Sequence, residues 1–285
     1  MRRTIVKAVS RTAQWVAAAR ALESERPDAL FDDPYARSLA GSAGFEIIDR
    51  LNTPISNVYF AIRTAYLDRV VLEATADGPI RQVVLMAAGM DTRALRLPLP
   101  AGLTVYELDH TELLDIKEEL LSGAAPAGGV TRVPVPVDLA EPWPEALKDA
   151  GFRPGCPTVW VTEGLLYYLP EDAAHRLLTE SCALSGPGSL LTGDLLNQAA
   201  ITDQKARPFI KGLAEGGSPW QFGVDRPEEL LASHGWQPVD VIQPGEDGTG
   251  RWPLPVVPRD KPDAPTDFLF TARTTDPLPG PPRDT

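Results

Sequence analysis

The sequence predicts an α/β fold, a mostly parallel sheet carrying a helical cap. Three observations predict it. Short continuous apolar runs recur from residue 82 onward, helix-like stretches separate them, and the residues that end the runs are unusually polar. Continuous rather than alternating apolar runs mark strands covered on both faces. Strands alternating with helices build βαβ units with right-handed crossovers.

The N-terminal third reads helical: Trp15, Ala18, Ala19 and Leu22 keep a three-to-four spacing, and Asp33-Pro34 opens another helical turn. A longer helix is expected from about Asn57 to Ala76. The strand-like runs are Gln82–Ala87, Leu103–Leu108, Arg132–Val137, Thr158–Thr162, Ser189–Gly193 and Asp267–Ala272. Between them lie the helix-like stretches Thr111–Leu121, Pro144–Ala150, Glu171–Leu184 and Pro227–His234. The last run follows no helix but a Gly/Pro-rich loop from Gly245 to Pro265, so an antiparallel insertion is expected. The tail 274–285, with Pro277, Pro279, Pro281 and Pro282, reads as disordered. The expected organisation is one domain over residues 1–273, with the N-terminal helices to about residue 76 and a segment at about 197–224 forming the cap.

Composition removes several function classes. The chain has 285 residues, with 27 Lys and Arg against 39 Asp and Glu, a formal charge of −12. A nucleic-acid binder ordinarily presents a basic stripe; no Lys/Arg cluster exists here beyond Arg2-Arg3, so nucleic acid is not an expected partner. Cys156 and Cys182 lack metal-ligand spacing, and with only three histidines no metal site is expected. No apolar run approaches the ~18 residues of a membrane span, and Lys7 and Arg11 interrupt any targeting h-region. The expected setting is cytoplasmic and reducing, and the expected partner a small molecule.

In an open α/β sheet, ligands bind beyond the carboxyl ends of the strands. The first run ends in Ala87-Ala88-Gly89-Met90-Asp91-Thr92-Arg93, where small residues let a ligand approach the backbone. The same composition also suits a plain turn. The second run ends at Asp109, 20 positions after Gly89, the spacing at which an acid receives two ribose hydroxyls. Glu107 is the weaker candidate, and a helix N-cap before Thr111 is the structural alternative for Asp109. Asp138-Leu139, after the third run, suits an adenine amino group and ring, or equally a cap for the following turn. Glu163, ending the fourth run before Gly164, is a carboxylate costly to bury without a partner. Arg63 shares a helical face with Tyr59 and Tyr66, and a guanidinium under an aromatic stripe needs an anionic partner.

Taken together, these motifs resemble the leucine carboxyl methyltransferase family, particularly its bacterial branch of S-adenosylmethionine-dependent O-methyltransferases. The likeness runs through Arg11-Thr12-Ala13, Val16 to Arg20, Pro27 to Pro34, Ile62 to Asp68, Gly89 to Arg93, Glu107-Leu108-Asp109, Val137-Asp138-Leu139 and Glu163 to Leu169. It closes with Trp220 to Gly223 and Phe268 to Arg273. The resemblance implies a class I methyltransferase, Rossmann-like fold, with a seven-stranded mostly parallel sheet and an antiparallel last strand. It implies S-adenosyl-L-methionine as cofactor, with Gly89 at its amino-acid part, Ala88 and Asp91 also binding it, and Asp109 on its ribose. Asp138 and Leu139 would meet the adenine, and Arg63 and Glu163 the methionine carboxylate and amine. Ala87 departs from the glycine usual in the branch. Ala13 stands near a lysine of the eukaryotic enzymes, for which Arg11 is the candidate substitute.

Methyl transfer needs nucleophile, methyl and sulfur held in line, with water excluded. A carboxylate acceptor arrives ionised, whereas a hydroxyl gains from a base. No histidine sits in a motif that announces one: His110 borders the expected cofactor site, and His175 and His234 read as solvated. Tyr167, Tyr168 and His110 are the positioning candidates. A small natural-product acid, polyketide- or peptide-derived, is the expected substrate, and hydroxyl methylation of such a metabolite the runner-up. A nicotinamide oxidoreductase would show a fuller glycine fingerprint and a hydride site, and neither is seen. A non-catalytic cofactor-binding protein is the remaining alternative.

Overall fold

The computed structural model describes residues 2–51, 54–203, 211 and 219–274, with residues 2–10 and 51 described as backbone only. The expected tail beyond Thr274 lies outside the described residues, as do 204–210 and 212–218 of the expected cap segment. Three helices come first: α1 (Arg2–Ser24), α2 (Ala36–Leu51) and α3 (Pro54–Ala76). The alternating part follows as β1 (Gln82–Met86), α4 (Arg93–Arg96), β2 (Thr104–Asp109), α5 (Thr111–Leu121), β3 (Thr131–Pro136), α6 (Pro144–Asp149), β4 (Thr158–Thr162) and α7 (Glu171–Leu184). The chain then forms β5 (Leu190–Leu196), α8 (Gln198–Thr202), α9 (Pro227–Ser233), β6 (Trp236–Ile242) and β7 (Asp267–Thr274).

The seven strands lie in the order β3-β2-β1-β4-β5-β7-β6. β1 to β5 pair in parallel, and β7 runs antiparallel to both β5 and β6. The chain winds outward from β1 through β2 to β3 and then crosses to β4 on the other side of β1. That reversal opens a crevice at the carboxyl ends of β1 and β4. Every residue of β1 and of β4 is buried, as their unbroken apolar runs require.

Two differences from the sequence reading have clear causes. β6 is absent from the apolar runs because Pro238 and Asp240 interrupt it. It is an edge strand, where a proline costs no ladder bond, and its register shifts between those two residues. β5 extends to Leu196, beyond the expected end at Gly193, which brings Asp194 inside the strand.

The N-terminal helices cover the crevice. α3 is buried over much of its surface, including Arg63, Thr64 and Asp68. α1 lies against α2 at Gly44, where an added Cβ would overlap the backbone carbonyl of Gln14. Behind α1, Glu23 accepts the Leu30 N–H at 2.7 Å and Ser24 accepts that of Asp33 at 2.9 Å, which fixes the turn into α2. The Asp33 carboxylate in turn receives the Tyr35 N–H at 3.2 Å, so Asp33-Pro34 does open the next helical turn.

Gly44 therefore sets how closely α1 approaches α2. Gly44→Ala should cost about 1–3 kcal/mol, the scale of overpacking a tight contact, measured by urea denaturation. An unchanged midpoint would mean that the two helices separate freely.

Candidate functional site

A cavity of about 600 Å³ opens at the carboxyl ends of β1 to β4, beneath α1 and α3. Eleven of the residues singled out from the sequence line it: Arg63, Ala88, Gly89, Asp91, Asp109, His110, Asp138, Leu139, Glu163, Tyr167 and Tyr168. The strand ends converge there because β1, β2, β3 and β4 are neighbours in one parallel sheet.

The loop after β1 is tightly wound. Gly89 has φ of +49° and Ala87 of +56°, the only left-handed non-glycine among the described residues. An alanine in that region costs roughly 1–2 kcal/mol that a glycine would not. An added Cβ at Gly89 would lie 3.3 Å from the Ala13 Cβ of α1, so the lid sits directly on this loop.

Asp109 does not cap α5. Its carboxylate accepts the Gly89 N–H and the His110 N–H, each at 2.7 Å. Burial pushes its carboxyl above the ordinary range, against the pull of those two N–H groups. Each oxygen keeps a further lone pair toward the cavity. Glu107, two residues earlier on the same face of β2, does not line the cavity: it is buried between Lys117 and Arg132, both at 2.7 Å. Asp138 closes a local turn by accepting the Ala140 N–H at 3.0 Å, with its remaining surface on the cavity.

At the other end lies a network that ties α3, β4, β5 and the β1 loop together. Arg63 donates through Nε to Glu163 at 3.1 Å, and through Nη1 to Asp194 at 2.9 Å and to the Tyr167 hydroxyl at 3.2 Å. Arg63 is also on the cavity lining. Asp194, wholly buried, also accepts the Tyr59 hydroxyl at 2.8 Å, the Tyr167 hydroxyl at 3.1 Å and the Gly164 N–H at 2.6 Å. The second oxygen of Glu163 takes Arg93 Nη1 at 2.6 Å, and Arg93 Nε reaches Asp68 at 2.8 Å. Burial by itself would raise the Glu163 carboxyl; Arg93 and Arg63 more than offset it and hold it down to about 2. For Arg63, burial works against the charge, and Asp194 and Glu163 outweigh it, keeping the guanidinium well above its ordinary range.

Several of these residues were missed from the sequence. Asp194 carries the signal that marked Glu163, an acid in an apolar strand, but the strand was read as ending one residue before it. Arg93 was noted within a motif without a partner. Arg11 is exposed and outside the cavity lining; the N-terminal guanidinium that does line it is Arg20, held by Asp33 at 2.9 Å and by the Met90 carbonyl. Tyr66 does not serve Arg63, since its hydroxyl meets Thr271 of β7 at 2.9 Å. His175 and His234 are part-exposed and also paired: His175 Nδ1 lies 2.9 Å from His234 Nε2, joining α7 to α9 outside the cavity lining.

Residues 13–182 match the family model described as leucine carboxyl methyltransferase. A protein of Mycolicibacterium gilvum, provisionally assigned as an S-adenosyl-L-methionine-dependent methyltransferase, is 42% identical over 75% of this chain and 76% of its own. One from Parafrankia, assigned likewise, is 40% identical over 82% of this chain and 78% of its own. Among solved structures, a DUF574 family protein of Streptomyces avermitilis superposes with a TM-score of 0.65 at 15% identity, covering 93% of this chain and 97% of that one. That likeness is one of fold.

Asp267, half-buried at the start of β7, lies on the same sheet face as Asp194 and diagonally across from it. Burial, with Asp194 adding and Arg63 opposing, pushes its carboxyl up to about 7. An unfolded Asp titrates near 4, so between about pH 4 and pH 7 the folded chain binds more protons and stability falls as pH rises. Asp267→Asn should therefore raise the thermal midpoint more at pH 8 than at pH 5. An equal effect at both would show that the position does not titrate in this range.

Proposed function

The chain belongs to the leucine carboxyl methyltransferase family of S-adenosylmethionine-dependent enzymes, and from that premise we propose that it methylates a carboxylate of a small natural-product acid, polyketide- or peptide-derived. The observation that carries this reading is that, among the described residues, the acceptor end of the cavity offers no group poised as a base. Tyr167 donates a hydrogen bond to Asp194 and is raised well above its ordinary range by burial and by that carboxylate. Tyr168 is likewise raised by burial. His110 is the one histidine on the cavity lining, and it sits beside Asp109, at the ribose end of the proposed cofactor site. An acceptor that must lose a proton finds no group there to take it, whereas a carboxylate needs none.

The donor set fits the cofactor. Asp109 presents a carboxylate with free lone pairs for two ribose hydroxyls, Leu139 an apolar surface and Asp138 an acceptor for the adenine end. Arg63 and Glu163, both on the lining, stand as a cation–anion pair for an amino acid's carboxylate and amine, while Ala88, Gly89 and Asp91 supply the close-approach loop. When bound, S-adenosylmethionine supplies a methyl group on a cationic sulfur that leaves as a neutral thioether. The chain's own part is to orient and to dehydrate. The carboxylates of Asp91, Asp109, Asp138 and Glu163 outnumber the guanidinium groups of Arg20 and Arg63 on the lining, a field suited to a cationic cofactor. α1 and α3 close over the site and exclude water. A cytoplasmic setting, where the cofactor is made, belongs to the same reading.

Two tests follow. Asp109→Ala should weaken calorimetric binding of S-adenosylhomocysteine by about 1.5–3 kcal/mol, the scale of a lost charged hydrogen bond, with folding retained; unchanged affinity would reject the ribose assignment. The methylated product should be an ester that mild alkali cleaves, and replacing His110, His175 or His234 singly should cost less than the ~10²-fold expected of a lost base. An alkali-stable ether together with a collapse on losing one histidine would establish hydroxyl methylation instead.

A further inference from the structure

The helix that covers the cavity carries a cation to which no ligand has been assigned. Ala13, Val16 and Arg20 of α1 are all on the lining. They follow one another at three and four residues, which places them on one face of the helix. That face meets the loop after β1 at two points. Ala13 stands 3.3 Å from the place a Cβ would take on Gly89, and Arg20 donates to the Met90 carbonyl.

Arg20 is only 6% exposed. Its Nε donates to Asp33 at 2.9 Å and its Nη2 to Met90, while its Nη1 makes no hydrogen bond among the described residues. Asp33 does not depend on Arg20 alone. It also accepts the Thr92 hydroxyl at 2.7 Å and the Tyr35 N–H at 3.2 Å, and it lies 3.8 Å from Arg96. A guanidinium has five N–H donors, and burying a charged donor without an acceptor is costly. An anion in the cavity would complete the set.

The position of Arg20 selects the anion. Met90 lies between Gly89 and Asp91, all three on the lining. Against burial, Arg20 joins Arg93 and Arg63 in holding the Glu163 carboxyl down to about 2, so it stands within electrostatic reach of that residue. Gly89 and Glu163 are the residues placed above at the cofactor's amino-acid end. Of the other guanidinium groups there, Arg63 already serves Glu163, Asp194 and Tyr167. Arg93 is paired with Asp68, Asp91 and Glu163 and is not on the lining.

We propose that Arg20 joins Arg63 as a ligand of the cofactor's carboxylate, so that α1 grips the methionine end as well as covering it. A guanidinium edge matches a planar carboxylate. The bound cofactor then ties α1 to the loop after β1. The proposal rests on placing the amino-acid end beside Glu163 and Gly89, and adds the residue that reaches it from α1.

The test is calorimetry with two ligands that differ by one group: S-adenosylhomocysteine, and its decarboxylated analogue, which has hydrogen in place of the carboxylate and keeps the amine. Arg20→Gln removes the charge and keeps an amide donor. It should weaken S-adenosylhomocysteine at least about ten-fold, the scale of a lost charged hydrogen bond, and the analogue less than about three-fold. Arg20→Lys, a point charge without the fork, should fall between wild type and Arg20→Gln, again for S-adenosylhomocysteine alone. An equal loss for both ligands in both variants would show a merely structural anchor. Undiminished S-adenosylhomocysteine affinity in Arg20→Gln would show that no contact is made. Either result would overturn the proposal. Failure of the underlying placement looks different: Asp109→Ala, expected to weaken both ligands alike, would weaken neither.

Discussion

A buried carboxylate, Asp194, holds the two halves of this protein in register. It sits in the middle of the sheet on β5, wholly inside, and gathers a guanidinium and a hydroxyl from α3, a second hydroxyl from the turn after β4 and the N–H of Gly164. An unpaired charge there would be untenable, and removing one member of such a pair typically costs 3–5 kcal/mol. The cap is therefore bound to the sheet by chemistry as well as by apolar packing. Arg63 is fixed by Asp194 on one side and Glu163 on the other, and Glu163 by Arg93, so the end of the cavity has a single arrangement. A site of this kind is shaped before its ligand arrives.

The loop after β1 shows the same principle in the backbone. Ala87 holds a left-handed conformation that glycine would adopt without strain, and Gly89 lies so close to Ala13 that helix and loop define one wall together. Because Arg20 of the same helix is anchored on Asp33 and on the Met90 carbonyl, movement of α1 would disturb the loop and the cavity at once. Access to the site and order within it are coupled through that helix.

Much of the architecture was legible because strands buried on both faces write continuous apolar runs, and β4, α5 and α7 have the bounds their runs suggested. The strand-end acids were legible for a related reason: a carboxylate ending an apolar run needs a purpose. Legibility failed where these signals were diluted. β6 lost its run to Pro238 and Asp240, tolerable only at an edge. Asp194 was passed over because Gly193 looked like a terminus, although that glycine is there for closeness, since a Cβ would overlap Thr162 of β4. Arg11 and Arg20 could not be ranked from sequence, because which of two basic residues on a helix turns inward depends on how the helix lies on its neighbours. The pairing of His175 with His234 joins helices 59 positions apart, a contact no local pattern records.

The central claim is that the ordered charge network at the β4–β5 end and the carboxylate at the end of β2 together form one preformed cofactor cleft. A crystal structure of the complex with S-adenosylhomocysteine tests it most directly. The account predicts the amino-acid end seated between Arg63 and Glu163, the ribose hydroxyls within hydrogen-bond distance of Asp109, and Arg63 still paired with Asp194. A ligand whose ribose lies away from Asp109, or an Arg63 released from Asp194 to meet it, would contradict the account.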